Sequence, residues 1–112
     1  MKLIKAVIRP SKLDEVRDAL SEKGVLGLMT TEIKGYGRQS GHTEMYRGSE
    51  YTVDFVSKVE IETVVLDEKL ETVLDALAET ARTEAIGDGK VFVLDVQQAM
   101  RIRTGEVDDD AL

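Results

Sequence analysis

Residues 4–20, IKAVIRPSKLDEVRDAL, return at a shift of 57 as residues 61–77, IETVVLDEKLETVLDAL. The two stretches agree at eight of seventeen positions: Ile4/Ile61, Val7/Val64, Lys12/Lys69, Leu13/Leu70, Val16/Val73, Asp18/Asp75, Ala19/Ala76 and Leu20/Leu77. Several of these are core positions, so helical patterning supplies part of the match. Each copy reads as a strand followed by a helix. Leu3–Arg9 alternates and is ended by Pro10; Ser11 is the expected N-cap, with Asp14 in the first helical turn. Leu13, Val16 and Leu20 then recur at helical spacing, and Gly24 is a stop signal. In the second copy Val59–Leu66 is the strand, Asp67 the expected cap, and Leu70, Val73, Leu74, Leu77, Ala78 and Ala81 the helical stripe.

Two further strands complete the pattern. Val25–Lys34 is rich in threonine and alternating apolar residues, and Val91–Val96 follows the turn Ile86-Gly87-Asp88-Gly89-Lys90. The order βαββαβ predicts an α+β, ferredoxin-like sandwich: an antiparallel sheet with two helices on one face, formed by residues 1–112 as one domain. Met100–Arg103 is a candidate short extra strand, and Glu106–Asp110 reads as a flexible acidic tail.

Such a sheet leaves its other face to water, where alternate residues are expected to be polar. The first and fourth strands are instead apolar on both faces: Leu3 and Val7 against Ile4, Ala6 and Ile8, and Val91 and Val93 against Phe92, Leu94 and Val96. Exposed apolar area of that extent predicts an oligomer with its sheets packed inward.

Length and composition set the bounds. With 112 residues, 42% hydrophobic and 33% charged, the chain has the profile of one soluble globular domain. Its net charge of −7 disfavours nucleic acid and anionic membrane as generic partners. Any anion site must be built locally from clustered bases. Cysteine is absent, which excludes disulfide and thiolate chemistry and fits a reducing compartment. MKLIKAVIRP is too short and too charged for a signal peptide, and no apolar run approaches a membrane span, so a cytoplasmic location is expected.

Between the second and third strands lies GYGRQSGHTEMYRGSEYTVD, Gly35–Asp54, with neither helical period nor long alternation. A loop of this length in a small domain is usually functional or disordered. Its glycines, opposite charges and tyrosines suit a partner-reading arm. His42, the sole histidine, has no neighbouring ligand and reads as solvated.

The strongest local chemistry is Gly87-Asp88-Gly89-Lys90 taken with Arg101 and Arg103. Glycines expose amides that form an anion-binding concavity, with Lys90 at its edge. Arg101 and Arg103, two apart, share one face if their segment is extended. Three bases at roughly 1.5–3 kcal/mol per charge-assisted bond, plus amide donors, reach the ~8 kcal/mol of micromolar phosphate binding. The competing reading is a plain glycine turn followed by edge charges that discourage aggregation. No GK[ST] opens a helix, so this is not a Walker loop, and Gly35-Tyr36-Gly37-Arg38-Gln39 leads into no helix, so it is not a dinucleotide fingerprint. Lys58, at the far foot of the loop, is placed either to neutralise a ligand carboxylate or as an ordinary surface lysine. No nucleophile–base pair stands out.

Four stretches, IKAVIRPSKLDEVRDAL, GYGRQSGHTEMYRGSEYTVDF, TARTEAIGDGKVFV and RIRTGE, resemble the PII nitrogen-regulatory signal proteins, over nearly the whole chain. The resemblance implies a homotrimer with nucleotide sites in the clefts between subunits, binding ATP or ADP competitively and, with Mg2+ and ATP, 2-oxoglutarate. It assigns the phosphates to Gly87, Asp88, Gly89 and Lys90 of the loop 82–90. Arg101 and Arg103, from the C-terminal segment 101–112 of a neighbour, reach across, and Arg38 joins in one nucleotide state. The adenine lies near Val64 and Glu62, with Met29 beside the base or ribose and Gly35 and Gly37 lining the cleft. Gln39 ligates Mg2+ and helps to hold 2-oxoglutarate, whose distal carboxylate pairs with Lys58 near Arg9 and Gly87. Tyr51 matches a tyrosine modified by a nucleotidyltransferase, and Ser49 a serine phosphorylated in some members.

By the same resemblance the loop 35–55 is the effector arm. Its targets are an ammonium transporter, at which the protein is peripheral to the membrane, and enzymes that modify glutamine synthetase or otherwise serve nitrogen assimilation. The expectation is a regulator and not an enzyme. A small nucleotide-hydrolysing enzyme and a ligand-free structural trimer are the alternatives. The sequence departs from the family pattern at Met29 (usually threonine), Ser11 (commonly phenylalanine), Ser40 (commonly lysine) and Glu84-Ala85 (usually Gly-Lys or Gly-Glu). Serine in place of lysine at position 40 and the gain of Glu84 make the surroundings of the site more acidic.

Overall fold

The computed structural model describes residues 1–36, 43–46, 49–52 and 55–112. Strand β1 (Lys2–Ile8) leads through a 3-10 turn at Pro10–Lys12 into helix α1 (Leu13–Glu22). Strands β2 (Met29–Gly35), β3 (Thr43–Tyr46), β4 (Ser49–Thr52) and β5 (Val56–Val65) follow. A second 3-10 turn, Asp67–Lys69, enters helix α2 (Leu70–Ala81), and β6 (Lys90–Asp95) closes the set. The repeat seen in sequence is a repeat in structure: both turns and both helix starts lie 57 residues apart.

Four strands form one antiparallel sheet in the order β2-β5-β1-β6. The two strands of the repeat, β1 and β5, are its central pair, with Ile4 opposite Thr63, Lys5 opposite Glu62 and Ala6 opposite Ile61. Odd and even positions separate as a half-buried sheet requires. Ile4, Ala6 and Ile8, with Val59, Ile61 and Val65, are buried beneath Val16 and Leu20 of α1 and Val73, Ala76, Leu77 and Ala81 of α2. This is the expected α+β arrangement of four antiparallel strands and two helices.

The boundaries differ from the expectation in instructive ways. Neither helix has a side-chain N-cap: Ser11 lies inside the first 3-10 turn, and Asp67 instead accepts a 2.7 Å bond from the Met1 ammonium. A tight turn entered from extended Arg9 or Leu66 replaces the cap in both copies. At the other end of α1 the stop signal works as read. Gly24 is left-handed (φ 87°), its amide bonds Ser21 O and that of Val25 bonds Leu20 O, each at 3.0 Å. That 5→2 and 6→1 pair is a Schellman closure, with Val25 packed in the core. Residues 25–28 are thus a connector and β2 starts only at Met29. Thr63 Oγ1 pins the connector by donating to Gly27 O at 2.8 Å.

Within the arm, β3 and β4 form a two-stranded antiparallel ladder by themselves, Thr43 opposite Thr52 and Tyr46 opposite Ser49. Sequence reading missed this hairpin because alternation runs for only four residues on each side. Met100–Arg103 is not a strand: Met100 makes a single bridge to Val107 and residues 102–104 turn. The acidic end is folded and not a loose tail. Asp108 N–H donates to Ala99 O at 2.8 Å, and a 3-10 turn follows at Asp108–Ala111.

Strand β6 is an edge and every residue in it is exposed, including Phe92 and Leu94 on the face away from the helices. On that same face Lys5 bridges Glu60 and Glu62, at 3.6 and 3.8 Å.

Candidate functional site

The segment Arg82–Lys90 leaves α2 and must turn sharply to enter β6 beside β1. It does so through three left-handed residues, Glu84 (φ 66°), Gly87 (φ 106°) and Gly89 (φ 99°). Gly89 lies so close to β1 that an added Cβ would fall 1.7 Å from Val7 O. Only glycine fits there. Among the described residues, neither Gly87 nor Gly89 gives its amide to another backbone carbonyl in this turn, which leaves two donors for an anion.

Glu84 holds its left-handed backbone at a steric cost of about 1–2 kcal/mol that glycine avoids. Glycine surrenders roughly 0.4–1 kcal/mol through the entropy of the unfolded chain. The Glu84→Gly variant is therefore expected to be more stable by about 0.5–1 kcal/mol, read as a raised urea midpoint with an unchanged slope. A lowered midpoint would show that the Glu84 side chain is stabilising.

Two cations reach the turn from the sheet. Arg9, just past β1, donates from Nη2 to Ile86 O at 2.9 Å and from Nε to Asp88 Oδ1 at 3.0 Å. Lys58 on β5 is buried and donates to Gly87 O. Burial, then the neighbouring Arg9 charge, lowers the Lys58 pKa, and Asp88 partly offsets both. Consecutive residues 86, 87 and 88 are thus each held by a base. Lys58 also lines a cleft of about 400 Å³ with Pro10, Ile33 and Ser57. A smaller one, about 210 Å³, runs from Leu77 and Ala81 beneath Asp88, Gly89 and Lys90. Gly35 packs against the Lys58 stem, 3.4 Å from its Cγ to an added Cβ.

The remaining assignments separate into groups. Met29 and Glu62 are paired across β2 and β5, and Met29 is exposed. A hydrogen bond that only the protonated Glu62 carboxyl can donate to Glu60, then burial, raises the Glu62 pKa above its usual range, against the pull of Lys5. Val64 lines a third cleft, about 410 Å³, with Gly27, Leu66 and Leu112. Arg101 is turned onto its own segment, 3.1 Å from Glu106 Oε1 and 3.5 Å from Leu112 O. Arg103 lies in the turn, so the two arginines do not share the face of an extended strand. Among the described residues no hydrogen bond or ion pair joins either arginine to the loop 82–90. Ser49 and Tyr51 lie on β4, opposite Tyr46 and Glu44. Gly37, Arg38, Gln39, Ser40 and His42 lie outside the described residues.

One feature of the site was not read from sequence: the Asp88 carboxylate faces into the loop. It accepts from Thr83 N (2.7 Å), Glu84 N (2.9 Å), the Thr83 hydroxyl and Arg9. These bonds, those of Thr83 first, hold its pKa well below the usual carboxylate range. An aspartate between two glycines is the only local signal. The partnership of Arg101 with Glu106, five residues on, was also not read from sequence.

Comparison with known proteins agrees with this architecture. The family described as "Nitrogen regulatory protein P-II" matches residues 1–106. The chain is 58% identical to nitrogen regulatory protein P-II 1 of Escherichia coli (strain K12) and 58% to nitrogen regulatory protein P-II of Klebsiella oxytoca. It is 55% identical to nitrogen regulatory protein P-II of Pasteurella multocida (strain Pm70). Each alignment covers 112 residues, the whole of both chains. A family match over almost the full length and relatives above half identity leave one conclusion: this chain belongs to the P-II family of nitrogen regulatory proteins.

Proposed function

We propose that this chain is a homotrimeric regulator of nitrogen assimilation that binds ATP or ADP and, with Mg2+ and ATP, 2-oxoglutarate, and that signals through residues 35–55. The observation that carries the reading is the convergence of Arg9 and Lys58 on the loop that supplies Gly87, Gly89 and Lys90. A loop with two free amides and a lysine suits phosphate oxygens; a buried lysine beside an arginine suits a carboxylate. In this assembly the apolar open faces of β1 and β6 are covered by neighbouring subunits. Arg101 and Arg103 act on a neighbour's nucleotide, and Val64, Glu62 and Met29 border its base.

Lys58 spends one of its three N–H donors on Gly87 O, which leaves the others for a ligand carboxylate. The ligand therefore couples Lys58, at one foot of the arm, to Gln39 at the other, where Mg2+ is held. ADP makes no such coupling, and partners distinguish the two states by differential affinity. Those partners are an ammonium transporter, at which the protein is peripheral to the membrane, and enzymes acting on glutamine synthetase. Tyr51 or Ser49 is the site of modification on the arm. The role is regulatory, and any nucleotide hydrolysis is slow.

Isothermal titration tests the reading directly. Mg-ATP is expected to bind at micromolar concentrations, and 2-oxoglutarate only when Mg-ATP is present. Failure of 2-oxoglutarate to bind at millimolar concentration alongside Mg-ATP overturns it.

A further inference from the structure

Asp88 presents a chemical contradiction. It lies between the two glycines whose amides suit an anion, yet it is itself an anion. The geometry resolves this by turning the carboxylate into its own loop and dividing its two oxygens. Oδ2 accepts only from the loop, at Thr83 N (2.7 Å) and Glu84 N (2.9 Å). Oδ1 accepts from the Thr83 hydroxyl and from Arg9 Nε (3.0 Å). The second arm of Arg9 is fixed on Ile86 O at 2.9 Å, so this guanidinium has two anchor points on one loop.

We infer that Asp88 is a positioning residue and not a ligand contact: one oxygen closes the loop 83–88 into its anion-accepting shape, and the other aims Arg9. The inference rests on the proposed function in one respect, that Gly87–Lys90 meets phosphate and that Arg9 and Lys58 meet the dicarboxylate. A phosphorylated ligand then encounters amides and Lys90, with the Asp88 charge already neutralised by Arg9. The dicarboxylate meets an arginine whose orientation is set before it arrives, which removes part of the ordering cost of binding.

Two oxygens with two duties make the conservative variant informative. Asparagine has one acceptor. The paired amides of Thr83 and Glu84 claim it, because both can only donate. The new NH2 group then faces the Thr83 hydroxyl, which can rotate to accept, and Arg9 Nε–H, which cannot. Asp88→Asn therefore keeps the loop and releases Arg9, whereas Asp88→Ala loses both.

The experiment uses the full chain and has a ligand-free and a ligand-bound arm. Without ligand, amide hydrogen exchange over residues 82–90 is expected to match wild type in Asp88→Asn and to accelerate in Asp88→Ala. The Arg9 Nε–H resonance, slowly exchanging in wild type, is expected to be lost in both. With ligand, Asp88→Asn is expected to bind Mg-ATP within about threefold of wild type and 2-oxoglutarate about tenfold or more weakly, the scale of one charge-assisted hydrogen bond. Asp88→Ala is expected to weaken both ligands by about tenfold or more. Parallel loss of both ligands in Asp88→Asn would reduce Asp88 to a general structural role and overturn the division of duties. Tighter Mg-ATP binding by Asp88→Asn would show that the carboxylate faces the phosphates, and unchanged exchange in Asp88→Ala would show that it does not close the loop. If wild type binds neither ligand, the functional reading fails, and the exchange and Arg9 measurements still decide whether Asp88 holds the loop and the arginine.

Discussion

Gly89→Ala is expected to melt about 10 °C or more below wild type and to lose Mg-ATP binding. The new Cβ would lie 1.7 Å from Val7 O and 2.8 Å from Val7 C, both backbone atoms of a central strand. No rotamer relieves a clash at Cβ, so β1 and the loop must separate. The backbone there is also left-handed, at φ 99°, which adds strain for any residue with a side chain. Separation would break the register that sets Val7 opposite Lys90, and with it the placement of the lysine. Strain and lost pairing together come to about 3 kcal/mol or more, and a domain of this size loses several degrees per kcal/mol. Gly27 is the control: a Cβ there meets nothing within 4 Å, and Gly27→Ala is expected to stay within about 0.5 kcal/mol of wild type. Equal melting of Gly89→Ala and wild type would refute the steric argument.

The second large effect lies in the core. Leu77→Ala is expected to destabilise by about 2–5 kcal/mol, the range for a fully buried leucine whose cavity only partly collapses. Leu77 is 1% exposed and packs between the helices and the sheet. It also lines the cleft beneath Asp88 and Gly89, so the deletion should loosen the loop 82–90 as well. Its counterpart in the repeat, Leu20, is equally buried but does not line that cleft. Leu20→Ala should thus cost a similar amount in a urea titration at the same protein concentration, without faster amide exchange over 82–90. Identical exchange in the two variants would break the link between Leu77 and the loop.

These contrasts mark what a sequence can convey. The core was legible because burial imposes a period: Ile4, Ala6 and Ile8 alternate, and Val16 and Leu20 recur by four, whatever surrounds them. The Gly24 stop was legible because only one residue type is at ease in a left-handed closure. Glycines 87 and 89 marked the sharp turn into β6 for the same reason. Part of what stayed hidden depended on partners distant in the chain. Asp67 reads as a helix cap by type and position, but the Met1 ammonium, 66 residues away, takes its oxygen. Asp88 reads as part of a turn, and nothing nearby announces Arg9, 79 residues earlier. The folded end at Asp108 escaped because a run of acidic residues ordinarily repels itself. Here the Asp108 amide donates to Ala99 O and the Ala99 amide donates to the Asp108 carboxylate, which holds it in place.

The central strand pair has a geometric consequence. Each β1–β5 partnership has residue numbers summing to the same value, and exchanging the halves by the shift of 57 turns Ile4 opposite Thr63 into Ile61 opposite Ala6, another observed pair. The two halves are therefore related by a pseudo-twofold axis, and it passes between Lys5 and Glu62, which are both partners and repeat equivalents. True twofold symmetry sets identical side chains against each other at its axis, like charge facing like. Joining two non-identical halves in one chain lifts that restriction. The axis here carries a lysine against a glutamate, 3.8 Å apart, an attraction that no symmetric pair of half-chains could place there.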